Sequence, residues 1–205
     1  YKNWQNVMGA DSCDFTQRTL TKVRPGHADL TGLLKFGQTD ARNILERASA
    51  RETAVRVAAG GIAKQYLSAL GVQVGGYVKS VCGIADGAEY PFEKLAQAKS
   101  RPLFMLDGAL EEQAMRLIDK LKEQGDTAGG VVEIRIHGLK SGFGSCMTYG
   151  EKLDGRLAGA LMGVQAIKGV EVGLGFAAAD LPGSRVHDEI YAQGGTFVRR
   201  TNNAG

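Results

Sequence analysis

A helical period runs through residues 51–70 and carries two adjacent glycines, Gly60-Gly61, in its middle. A glycine inside a helix costs roughly 1 kcal/mol against alanine. A chain tolerates that cost where another element must approach the small residues closely. Ala54, Val57, Ala58, Gly61, Ile62 and Leu67 share one broad face, and Gly71 follows as a C-cap. The pattern therefore predicts a helix laid tightly against a neighbour.

The residues leading into this helix carry unusual chemistry. Between positions 47 and 63 lie Arg47, Arg51 and Arg56, the hydroxyls of Ser49 and Thr53, and Glu52. Guanidinium groups grip phosphate or carboxylate oxygens with two prongs, which lysine cannot copy. The stretch reads either as an anion site on a packed helix or as the wet face of an amphipathic one. Ser49 and Glu52 have capping-box spacing, so a helix boundary near Ser49 is expected.

The remaining pattern mixes helices and strands without a βαβ rhythm, which implies α+β. Trp4 and Met8 suggest a short helix within residues 1–14. Pro25-Gly26 is a turn signal that presents Arg24 and His27 from one bend. Thr39 or Asp40 is placed to cap a helix through Asn43 to about Arg47. Residues 72–84 alternate as a strand bent at Gly75-Gly76. A short helical stretch is expected near residues 94–99, and an amphipathic helix over 109–124 with Ala114, Leu117, Ile118 and Leu121 inward. Residues 131–137 read as a strand with Val132, Ile134 and Ile136 on one face and Glu133, Arg135 and His137 on the other. Residues 153–167 form a helix so apolar and small-sided that it belongs in a core or a subunit interface. A strand with glycine breaks follows over 168–176, then a charged loop over 183–190.

Composition narrows the function classes. With 205 residues, 43% hydrophobic and 23% charged, the chain can bury a substantial core, and no linker divides it. One domain over residues 1–205 is expected. The net charge of +3 is too mild for a nucleic-acid footprint, and no basic stripe with stacking aromatics occurs. No apolar run approaches the ~20 residues of a membrane helix. Cys13, Cys82 and Cys146 are odd in number and lack metal spacing. They read as reduced, buried thiols of a cytoplasmic protein. His27, His137 and His187 are too scattered for a metal site. The glycines of residues 169–175 lack the strand–turn–helix order of a dinucleotide fingerprint, and Gly144-Ser-Cys146 is no nucleophile elbow.

Several strings together resemble the chorismate synthase family. They are Arg24-Pro-Gly-His-Ala-Asp-Leu30, Leu45-Glu-Arg-Ala-Ser-Ala-Arg-Glu-Thr-Ala54, Gly125-Asp-Thr-Ala-Gly-Gly130, Leu161–Phe176 with its Gln165-Ala-Ile-Lys-Gly-Val-Glu171, His187-Asp-Glu-Ile190 and Thr201-Asn-Asn-Ala-Gly205. Their order and spacing fit from end to end. The resemblance implies a β-α-β sandwich, with helices between antiparallel sheets, assembled as a homotetramer. It implies a 1,4-anti elimination that converts 5-enolpyruvylshikimate 3-phosphate to chorismate and phosphate. It also implies reduced FMN (FMNH2) as the cofactor, with no net oxidation.

The roles carry over residue by residue. Arg24 and Arg51 resemble substrate arginines, and His27 resembles the motif histidine that manages a proton near the flavin. Arg47, Ala48 and Ser49 match one flavin-contact string, with Ser49 also near substrate. Gln165 and Ala166 match a second string, and Asn202 lies in the loop that continues it. The family's N-terminal Gly-Glu-Ser-His-Gly string and its C-terminal Lys-Pro-x-Ser segment are not among these residues. The chain is therefore expected to be a core incomplete for catalysis. A non-catalytic assembly core, working through the helix at 153–167 and binding flavin weakly or not at all, is the alternative.

Overall fold

The computed structural model describes residues 19–48 and 51–205. Two units are present: the described residues up to Ala59 together with Gly144–Gly205, and Gly60–Phe143. The expected helix at residues 1–14 lies outside the described residues, as do Cys13 and Ser49 with its capping box.

In the first unit, α1 (Asp29–Phe36) and α2 (Arg42–Ala48) pack so closely that a Cβ on Gly32 would meet Ile44 Cγ2 at 2.3 Å. Sequence periodicity did not indicate α1, although Gly37 (φ 61°) is its left-handed C-cap and donates to Leu33 O. Asp40, as expected, caps α2 by accepting from the backbone N–H of Arg42 at 2.9 Å. It also accepts from Leu20 N at 2.9 Å. These two backbone bonds hold its carboxyl below the usual carboxylate range.

Helix α3 (Arg51–Ala69) forms where the sequence places it. Among the described residues, the packing expected over its glycines is not found. No residue of α3 is buried, and nothing lies within 4 Å of a Cβ added at Gly60 or Gly61. Val55, Val57, Ile62 and Tyr66 remain exposed.

In the second unit, β1 (Gln73–Val81) pairs antiparallel with both β2 (Ile84–Ala85) and β3 (Gly130–His137). The register runs from Gln73 opposite His137 to Val81 opposite Gly130. Its irregularity lies between Val78 and Ser80, not at the glycine pair. Gly75 is glycine for room: a Cβ there would sit 3.2 Å from Leu95 and 3.4 Å from Phe92. Cys82 and Gly83, both with positive φ, make the β1–β2 turn, so Cys82 is exposed and not a core thiol. Cys146 is likewise exposed.

Helix α4 (Gly108–Glu123) begins on Asp107, whose side chain accepts from Ala109 N and Leu110 N. With the 3-10 helix Phe92–Ser100 it builds two small cores. One gathers Tyr77, Tyr90, Leu95, Ala98 and Leu106; the other gathers Val81, Met105 and Ala114. The alternation of β3 is as expected, with the apolar face the exposed one. Val132, Ile134 and Ile136 are exposed, whereas Glu133 and Arg135 are half-buried. An ionic layer accounts for this: Lys79 Nζ donates to Glu133 at 2.7 Å, and Arg135 donates to Glu133 and to Tyr90 O at 2.6 Å. Burial alone would raise the Glu133 carboxyl, yet those cationic donors hold it below its ordinary value.

Returning to the first unit, α5 (Leu153–Met162) is shorter than expected and buries no residue, so it is not a core helix of this chain. The expected strand at residues 168–176 is absent. Gly173 (φ 62°) and Gly175 (φ 55°) bend this stretch into a 3-10 helix, Gly175–Asp180. After the short α6 (Gly183–Val186), strands β4 (Ile190–Gln193) and β5 (Thr196–Arg199) form a hairpin closed by Gly194 and Gly195, both at positive φ. Helices and antiparallel sheets are thus combined as α+β, the class the sequence implies.

Candidate functional site

The Pro25-Gly26 turn forms as expected, and its two chemical side chains have distinct fates. Arg24 closes a two-pronged pair on Asp29, Nε to Oδ2 at 2.9 Å and Nη2 to Oδ1 at 3.0 Å. The Arg24 backbone N–H donates to the same carboxylate at 3.0 Å. Asp29 is buried, and these bonds hold its carboxyl down at about 2. The fork expected to take substrate is therefore already engaged by Asp29. His27 is exposed, with Nδ1 2.9 Å from Pro25 O. A carbonyl only accepts, so Nδ1 carries the proton and Nε2 is the nitrogen available for exchange.

Arg47 and Ala48 end α2 and line an open groove of about 710 Å³ between α1 and α2, with Gly32, Lys35, Phe36 and Ile44. Arg47 is exposed and Ala48 half-buried. Arg51 opens α3 and is ion-paired with Glu46 of α2. That carboxylate raises the guanidinium pKa further above its ordinary value, so Arg51 is a fixed cation. Glu52 and Arg56 form an i,i+4 pair on the same helix.

Gln165 and Ala166 occupy the turn after α5. Ala166 has φ 69°, a left-handed conformation that a non-glycine residue adopts only when its surroundings hold it there. The turn is tied to α3: Thr53 Oγ1 donates to Gln165 Oε1 at 3.1 Å, and Gln165 Nε2 lies 3.5 Å from Glu52 Oε2. Two of the matched strings thus meet, although 112 positions separate Thr53 from Gln165. Neither bond reaches the turn of Arg24 and His27, nor the loop of Asn202. Asn202 is exposed, on a loop that Leu174 N joins by donating to Asn203 O at 2.8 Å.

Sequence reasoning missed the supports of these residues. Asp29 could have been paired with Arg24 from their shared turn. Glu46 precedes Arg51 by five positions, a spacing outside the i,i+3 and i,i+4 pairs that one helix face brings together. Nothing local links Thr53 to Gln165. Among the described residues, no group of three or more His, Cys, Asp or Glu side chains is arranged to hold a metal. No described helix is long and apolar enough to cross a membrane.

Comparison with known proteins identifies the family. Residues 1–205 match the protein family described as chorismate synthase. The chain is 49% identical over 208 residues to a chorismate synthase of Syntrophotalea carbinolica, covering all of this chain and 54% of that protein. It is 51% identical over 217 residues to a chorismate synthase of Pelobacter propionicus, covering 55% of that protein. The chain thus spans about half the length of these curated relatives. A crystal structure of a chorismate synthase superposes with a TM-score of 0.80 at 41% identity, covering 86% of this chain and 56% of that one. The fold is of the chorismate synthase type, and the chain belongs to the chorismate synthase family.

Proposed function

We propose that the protein carrying this chain eliminates phosphate from 5-enolpyruvylshikimate 3-phosphate to give chorismate, with reduced FMN (FMNH2) as cofactor. Family membership supports the reaction. The single observation that carries the site is the Thr53–Gln165 hydrogen bond, because it joins the two strings that resemble flavin contacts. In this reading Arg47, Ala48, Ser49, Gln165, Ala166 and Asn202 hold the flavin, while Arg24, Ser49 and Arg51 hold the substrate.

The residues fit a flat, anionic ligand. Arg47 is an exposed cation, Ala48 and Ala166 are small enough for a ring to approach, and the Asn202 amide is exposed. When bound, reduced FMN lends electron density to the elimination and recovers it. Arg51 presents its fixed charge to the phosphate, which competes with Glu46 for the guanidinium. Arg24 adds positive charge from a position fixed by Asp29. His27 gives or takes a proton at Nε2.

These 205 residues are read as one core domain supplying part of the site. Homotetramer assembly in the cytoplasm completes the proposal. Exposed apolar side chains on α3 and β3 support assembly, and the unbridged Cys82 and Cys146 suit a reducing compartment. The test is to mix the full-length protein anaerobically with reduced FMN and 5-enolpyruvylshikimate 3-phosphate. Stoichiometric phosphate and chorismate are expected; release of neither would refute the assignment.

A further inference from the structure

We propose that Asp188 is a positioning residue for Asn202, fixing the loop that presents this side chain and so setting flavin affinity without touching the flavin. The proposal rests on the reading that Asn202 contacts FMN. Its geometry is independent of that reading. Asp188 Oδ1 accepts from Thr201 Oγ1 at 2.6 Å and from Asn203 N at 2.7 Å, and Oδ2 accepts from Ala204 N at 2.9 Å. One half-buried carboxylate thus holds the residues on both sides of Asn202.

The loop is secured from two further directions. Asn203 Nδ2 donates to Arg185 O at 3.4 Å, and Leu174 N donates to Asn203 O at 2.8 Å. Gly173 lies so close that an added Cβ would stand 2.1 Å from Asn203 O. Asn203 is therefore committed to structure through its N–H, its carbonyl and its side chain. Asn202 is exposed between these anchors. Charge-assisted bonds to backbone N–H groups are the strong kind. A loop ordered in advance loses less freedom when a ligand binds.

The experiment compares full-length wild type with Asp188→Asn and Thr201→Val. Amide hydrogen exchange reads the loop, oxidised FMN fluorescence quenching reads affinity, and turnover at saturating FMN reads kcat. In Asp188→Asn, exchange at Asn203 and Ala204 should quicken about tenfold and the FMN Kd should rise about tenfold, with kcat falling less. Thr201→Val, which removes one hydroxyl bond, should shift both in the same direction by about threefold; it carries the test if Asp188→Asn does not fold. Unchanged exchange would overturn the anchor. Faster exchange with an unchanged Kd would make Asp188 structural only. Wild type that fails to quench FMN would overturn the flavin reading itself, a result distinguishable from either.

Discussion

Thr53 Oγ1 donates to Gln165 Oε1 at 3.1 Å and so fastens the turn after α5 to the first turn of α3. A hydroxyl–amide bond of this kind contributes about 1 kcal/mol net. If both residues serve one site, their effects on FMN binding must be coupled. Thr53→Val, Gln165→Ala and the double variant should show a coupling energy of about 0.5–1.5 kcal/mol in FMN affinity by calorimetry. Strict additivity would separate the two strings.

The Arg24–Asp29 pair predicts an acid dependence. Asp29 titrates at about 2 in the folded chain because the Arg24 side chain and backbone N–H bond its carboxylate. A depressed carboxyl contributes stability that is fully present above its unfolded value of about 3.9 and is lost as pH falls through the folded value. Denaturant melts of wild type and Asp29→Asn should therefore differ most above about pH 4 and converge toward about pH 2. A difference that grows on acidification would contradict the pairing.

Glycine carries opposite meanings in two helices. At Gly32 an added Cβ meets Ile44 Cγ2 at 2.3 Å. Gly32→Ala should therefore destabilise by about 1–3 kcal/mol despite the better helix propensity, and Ile44→Ala in the same chain should relieve part of that loss. At Gly60 nothing is near, so Gly60→Ala should stabilise this chain by roughly 0.5–1 kcal/mol. Chemical denaturation measures both.

Arg51→Lys keeps the charge and loses the planar fork. In the full-length enzyme it should lower kcat/KM for 5-enolpyruvylshikimate 3-phosphate by at least about tenfold, because a point cation cannot match two oxygens together. Steady-state kinetics decide this, and near-wild-type values would remove Arg51 from the substrate.

The elements legible in the sequence were those whose signals are local. The long period of α3 with Gly71 behind it, the Asp40 cap and the Pro25-Gly26 turn all form where the residues indicate. The β4–β5 hairpin was equally local, since Gly194-Gly195 separates two strand-like runs, and it went unread. Errors arose where distant residues decide. Which face of β3 is buried was likewise not legible, because Arg135 bonds the carbonyl of Tyr90, 45 positions away. The strand expected over 168–176 fails because Gly173 and Leu174 close onto Asn203. The candidate site followed the same rule: its arginines stood in specific strings, but the pairing of Glu46 with Arg51 and of Thr53 with Gln165 became apparent only in three dimensions.

The most direct measurement of the central claim, that the Arg47 and Gln165 strings form one flavin site, is an FMN titration of the full-length protein with Arg47→Ala and Gln165→Ala beside wild type. Wild type should bind with micromolar affinity or better, and each variant should weaken binding about tenfold or more. Wild-type affinity in both variants would contradict the account.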